Sequence, residues 1–188
     1  MAIAPLATNM IRADHTRVLA LFHRYKPSTA VALKTALARA ICTSLEIHAE
    51  IEEEIFYPAC REAGVDVDVV EKSFPEHAEI KTCIAQLRAL DAGDPDRDRL
   101  FFELMNHVIH HVADEESKLL PDAERAMADR LRPLGAQMMK RRMMLHVPVL
   151  QQLAQRGIRW NPLVAGVAGT TVVLALAMMA RNGRGRSA

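Results

Sequence analysis

Apolar residues return every three or four positions through four stretches of the chain, the spacing of a helix with one buried face. The first covers about Thr8 to Tyr25, with Ile11, Val18, Leu19 and Phe22 along the stripe, and Pro27 and Ser28 end it. The second runs from about Thr29 to Ala63 and stops at Gly64, with an irregularity expected at Pro58. The third runs from about Val67 to Leu90, where Pro75 predicts a kink or a restart. Asp91-Ala-Gly-Asp-Pro is turn chemistry. Within it Asp94 suits a helix N-cap and Pro95 the first helical position, while Asp96 and Asp98 complement the helix dipole. The fourth helix then runs from about Pro95 to Pro121 or slightly beyond. No stretch alternates with the period of a strand. Four amphipathic helices joined by short loops predict an all-α protein, an antiparallel up-down four-helix bundle.

Two segments follow the bundle. Pro133 to Arg159 predicts an extra helix, with Lys140, Arg141 and Arg142 beside Met138, Met139, Met143 and Met144. The methionines suit packing on the bundle, and the basic run suits a membrane surface. Leu163 to Ala180 then passes eighteen residues without a charge, ~27 Å as a helix and close to the thickness of a bilayer core. Trp160 before it and Arg181, Arg184 and Arg186 after it are the residues that anchor a span at its interfaces. The expected organisation is a bundle over residues 1–130, a basic amphipathic connecting helix over 131–160, and a transmembrane tail anchor over 161–188.

Composition narrows the function. Half the residues are hydrophobic yet only 4% are aromatic, a mixture that favours helices. A net charge of +1 gives no reason to expect a nucleic-acid surface. Cys42, Cys60 and Cys83 are odd in number and lack CxxC spacing, which argues against a disulfide framework and for a reducing compartment. The N-terminus lacks the pattern of a secretory signal, so the bundle is expected to stay cytoplasmic, tethered by its tail.

The chemistry sits in a repeat. HAEIEEEIFYP, His48 to Pro58, returns sixty-three positions later as HVADEESKLLP, His111 to Pro121. Residues four apart share a helix face, so His48 with Glu52, and His111 with Glu115, each offer an imidazole and a carboxylate to one point. That is a donor set for transition metals. His15 and His77 lie on the remaining helices, so each helix of the bundle contributes one histidine. Buried carboxylates without a cation cost several kcal/mol each, which favours a metal reading over packing. Glu53 and Glu116 also recur, but about 100° away from the ligand face, and read as solvated or supporting residues. Glu50, Glu54 and Asp114 add acidic character near the motifs.

Asp14-His15, HxxxEExxxxP at His48, Glu76-His77 and HxxxEExxxxP at His111 together resemble the hemerythrin-like, or HHE cation-binding, domain family, over roughly residues 8 to 125. The resemblance implies a four-helix bundle holding two non-haem iron ions. His15 and His48 would ligate one and His77 and His111 the other, with Glu52 and Glu115 bridging. The chain departs from the oxygen-carrying members. Ser73 stands where they have a second histidine, and His111 and Glu115 are four apart where they have a His–Asp pair five apart. His107, one turn before His111, could supply an extra nitrogen or a supporting hydrogen bond.

The expected function is therefore binding or sensing of O2 or a related small oxidant, peroxide or NO. The alternatives are a di-iron peroxidase-like or NO-reducing enzyme, and a metal-storage or metal-responsive module. No separate nucleophile motif or substrate pocket is legible, which ranks binding above catalysis.

Overall fold

The computed structural model describes residues 4–65 and 67–155. The chain divides into two units, Met1–Arg142 and Met143–Ala188. In the first, α1 (Ala7–Arg24) and α2 (Val31–Ile51) pack as one antiparallel pair, and α4 (Val67–Ala89) and α5 (Arg97–Asp114) as another. α2 continues through a π-helical segment, Glu52–Phe56, into α3 (Tyr57–Glu62), and α5 through Glu115–Leu119 into α6 (Leu120–Ala126). Cross-links fix the directions: Glu46 pairs with Arg88 and Glu53 with Lys81 between α2 and α4, while Tyr25 at the end of α1 meets Asp98 at the start of α5. Among the described residues there is no strand.

The first helix begins and ends within a residue of its expected bounds. The second is interrupted at Glu52, and the cause is Pro58. It has no N–H to donate, and its ring crowds the carbonyl one turn back. The backbone widens instead, and the Tyr57 N–H reaches the Glu52 carbonyl five residues away. Pro121 stands in the same relation to the second π segment, where the Leu120 N–H reaches the Glu115 carbonyl. α3 closes on Gly64 at φ +69°, with Val65 N–H donating to Cys60 O and Gly64 N–H to Arg61 O, a Schellman end.

Two expectations are corrected. Of the kink or restart expected at Pro75, the restart does not occur: α4 runs unbroken from Val67 to Ala89, with Pro75 on its exposed face. Asp94 does not begin the fourth helix. Its carboxylate accepts the Asp96 N–H and its carbonyl the Arg97 N–H, a turn built on Pro95 that delays α5 to Arg97.

The core runs the length of the bundle through Ile11, Phe22, Ile41, Phe56, Ile84 and Leu104. At one end Tyr25 stacks on Phe101 at 3.7 Å, and Phe22 meets the same ring edge-on. α7 (Leu131–Gln155) starts in this unit, buries Leu131, Leu134 and Met138, and crosses the N-terminal segment at Gly135. A methyl group at Gly135 would overlap the Pro5 carbonyl oxygen, so only glycine permits that approach. Arg141 pairs with Glu50 and Glu54, and Arg142 with Asp14. Two of the three basic residues read for a membrane surface thus bind carboxylates of the bundle. Of the second unit, residues 143–155 are described and are helical. The span expected over 163–180 lies outside the described residues, among which no helix is long and apolar enough to cross a membrane.

Candidate metal centre

His15, His48, His77 and His111 are all buried, and so are Glu52 and Glu115. The π segments begin at the two glutamates, so the backbone widens where these carboxylates enter the core. Two clusters result. In one, His15, His48, Glu52 and Glu115 present donor atoms all within 4.8 Å of one another; in the other, Glu52, His77 and His111 do the same. Glu52 belongs to both, its Oε2 3.2 Å from His48 Nε2 and 3.5 Å from His77 Nε2. Glu115 Oε2 lies 3.2 Å from His15 Nε2 and 3.5 Å from His111 Nε2.

Each imidazole is held from behind. His15 Nδ1 is 2.9 Å from Glu116, His77 Nδ1 2.9 Å from Glu53, His111 Nδ1 3.0 Å from Glu76, and His48 Nδ1 3.5 Å from Asp14. A carboxylate only accepts, so the ring proton sits on Nδ1 and Nε2 carries a bare lone pair. Behind the carboxylates stand bases: Arg12 on Glu116, Lys81 on Glu53, Lys72 on Glu76 and Arg142 on Asp14. The outer acids are thereby neutralised, and Glu52 and Glu115 are the buried acids left without a basic residue paired to them.

The pattern crosses between halves. Asp14 and Glu76, each just before a ligand-type histidine, hold the histidine of the neighbouring HxxxE helix. Glu53 and Glu116, each just after a buried glutamate, hold the lone histidine of the opposite half.

The inner face does not satisfy itself. His15 Nε2 faces His48 Nε2 at 3.3 Å, and His77 Nε2 faces His111 Nε2 at 3.1 Å, lone pair against lone pair. Glu52 Oε1 and Glu115 Oε2 are buried and accept no hydrogen bond. Such groups are costly unless a cation lies among them. The donors are nitrogen and oxygen, a set suited to iron, zinc or manganese. The residues present therefore fit a metal.

In the metal-free centre the protonation balance is split: burial lowers His48, whereas at His15 burial is outweighed by Glu115 and Glu116, which raise it. Burial pushes Glu52 well above the ordinary carboxylate range, with the Glu115 charge adding to it. Burial acts on Glu115 the same way, but His111, His15 and His48 outweigh it and hold it low. Burial drives His77 down to about 2, with His111 and His48 adding to the effect, so it stays neutral and able to coordinate.

Tyr57 is a site residue that the spacing did not suggest. Fully buried, its hydroxyl lies 2.8 Å from Glu115 Oε1, 3.3 Å from Glu52 Oε2 and 3.4 Å from His77 Nε2. Leu120 occupies the matching place in the second repeat, so the centre is polar at one end only. His107 is not in either cluster; its Nδ1 faces Glu79 Oε2 at 3.1 Å. His110 is exposed, and Asp114 is occupied by Lys72 and Lys118. On the imidazole side lies a cavity of about 10 Å³, room for one water-sized guest, walled by Val18, Leu45, Ile80, Val108 and Val112.

The family model described as the hemerythrin HHE cation-binding domain matches residues 6–123. The chain belongs to the hemerythrin HHE family. Its fold is similar to the crystal structure of a hemerythrin HHE cation-binding domain-containing protein from Mycobacterium kansasii, with a TM-score of 0.68 at 18% identity over 87% of this chain and 99% of that one. It is also 32% identical over 111 residues to a protein of Nostoc sp. (strain PCC 7120) named as a DNA nickase, a match covering 59% of this chain and 31% of that protein. As an HHE domain, the chain carries a cation-binding bundle with clusters of histidine and glutamate able to hold metal.

Proposed function

We propose that this HHE protein is a non-haem di-iron protein that binds or senses O2 or a related small oxidant, peroxide or NO. One observation carries the reading: two pairs of facing, bare imidazole nitrogens lie beside a cavity with space for a single small molecule. His15 and His48 would hold one iron and His77 and His111 the other, with Glu52 and Glu115 shared between them. Iron supplies one-electron chemistry and affinity for small oxidants when bound.

The protein's part is selection and positioning. The cavity's aliphatic wall favours a small, weakly polar guest. The four outer carboxylates fix which ring nitrogen faces inward. The cluster of His77, His111 and Glu52 has one donor fewer than its neighbour, and Ser73 hydrogen-bonds the Val69 carbonyl instead of filling the gap. Tyr57 stands at that end, where its hydroxyl can donate a proton or a hydrogen bond to a guest. This favours peroxide or NO chemistry as the second reading, since reduction of either consumes protons.

The purified 188-residue chain is expected to contain close to two irons, and its reduced form to develop the near-ultraviolet bands of a coupled diferric pair in air. Zinc alone, or no metal, would remove the reading. Bands that return over repeated cycles favour binding or sensing, and sustained turnover favours an enzyme.

The nicking activity named for the Nostoc protein is not carried over. The match spans under a third of that protein, and the near-neutral charge here offers no general attraction for DNA. We further propose that the bundle is cytoplasmic and anchored through the uncharged run 163–180. Deleting residues 161–188 should move the metal-loaded protein from the membrane to the soluble fraction; an intact chain that is already soluble would end this proposal.

A further inference from the structure

A second group of metal-type donors lies away from the centre, between α4 and α5. Glu79 and Cys83 are four apart on α4, and Glu103 and His107 four apart on α5, so each helix aims a pair at the same place. Donor atoms of Cys83, Glu103 and His107 all lie within 4.8 Å of one another, and His107 Nδ1 is 3.1 Å from Glu79 Oε2. The set differs in kind from the buried centre because it contains sulfur.

Burial is graded across it. Cys83 is 5% exposed, the His107 side chain 35% and that of Glu103 47%. The thiol thus forms the floor, with the imidazole and carboxylates as an open rim through which an ion can enter. Glu103 also meets Arg99 Nη1 at 3.2 Å, an exposed pair of small worth that a cation can displace.

We propose that Glu79, Cys83, Glu103 and His107 form a second, mononuclear site for a zinc-type divalent cation. Mixed sulfur, nitrogen and oxygen donors suit that class. Tetrahedral bond lengths place neighbouring donors about 3.5 Å apart, so closure from the present spacing needs side-chain rotation on the order of 1 Å. Binding forms metal–sulfur, metal–nitrogen and metal–oxygen bonds and releases the Cys83 thiol proton to solvent. The site is independent of the iron centre, with no shared ligand and no electron transferred.

Cobalt(II) is the probe, added to the 188-residue chain. A near-ultraviolet thiolate-to-cobalt charge-transfer band should appear, and zinc should discharge it. Cys83→Ser should abolish the band, and His107→Ala should weaken cobalt affinity by about tenfold or more. Glu52→Gln, which alters only the iron centre, should leave the band in place. No band at saturating cobalt in the unaltered chain would overturn the proposal. So would a band that survives Cys83→Ser, or one with unchanged affinity in His107→Ala, a partly exposed position whose truncation leaves the core intact.

Discussion

Asp14 and Arg142, 128 positions apart, form a two-pronged ion pair with each side chain only 12% exposed, and the same carboxylate supports His48. α7 is outside the four-helix bundle, yet it reaches the metal centre through this pair. Burial alone would raise the Asp14 pKa, but the hydrogen bond from His48 and the charge of Arg142 outweigh it and hold it below 3.8. A depressed carboxylate stabilises the fold above its ordinary pKa, and the contribution is lost as pH falls through the folded value. Arg142→Met should return Asp14 upward, so acid unfolding of the metal-free chain should begin at higher pH. Near neutrality the variant should lose about 3 kcal/mol, because a nearly buried charge is left without its partner. Circular dichroism across a pH series measures both; an unmoved acid midpoint would refute the linkage.

Glu53 and Glu116 hold His77 and His15 from behind. Glu53→Ala and Glu116→Ala should each accelerate metal loss to a chelator, lowering affinity about 10- to 100-fold. Glu52→Ala and Glu115→Ala should lose more. Glu71→Ala, on an exposed pair with Arg61, should change nothing. Metal content after timed dialysis ranks the variants.

Removing the Tyr57 hydroxyl leaves Glu115 Oε1 short of a hydrogen bond 2.8 Å long. Tyr57→Phe should retain metal yet slow reaction with peroxide by about 100-fold, the ordinary scale of a lost proton donor. Stopped-flow absorbance gives the rate, and parallel metal analysis excludes simple loss of iron. An unchanged rate would leave Tyr57 a structural role only.

Gly135→Ala should push α7 away from the N-terminal segment, since the new methyl meets backbone oxygen rather than a yielding side chain. A loss of about 1–3 kcal/mol is expected in urea unfolding.

Much of this was legible because the liganding residues obey helical spacing. His48 with Glu52, and His111 with Glu115, share a face four residues apart, and a repeated frame exposes the pattern. Tyr57 was hidden by the same rule. Five residues beyond Glu52 on a regular α-helix it would point about 140° away, and the π segment brings it back toward the centre. Pro58 and Pro121 were the available signals, but a proline six residues past a glutamate does not by itself specify a widened turn. The partners of Asp14 and Glu76 were hidden for another reason. Next to their histidines in sequence, they serve other helices, and only the packing tells which.

The crossing supports also bear on assembly. The half containing α1 and α2 supplies Glu53 to an imidazole of the half containing α4 and α5, which in return supplies Glu116 to His15. Neither half on its own could set the tautomers of its lone histidine, so a severed fragment should grip metal poorly however well it folds. With the two irons proposed above, loading should accordingly be concerted, with few chains caught holding a single ion.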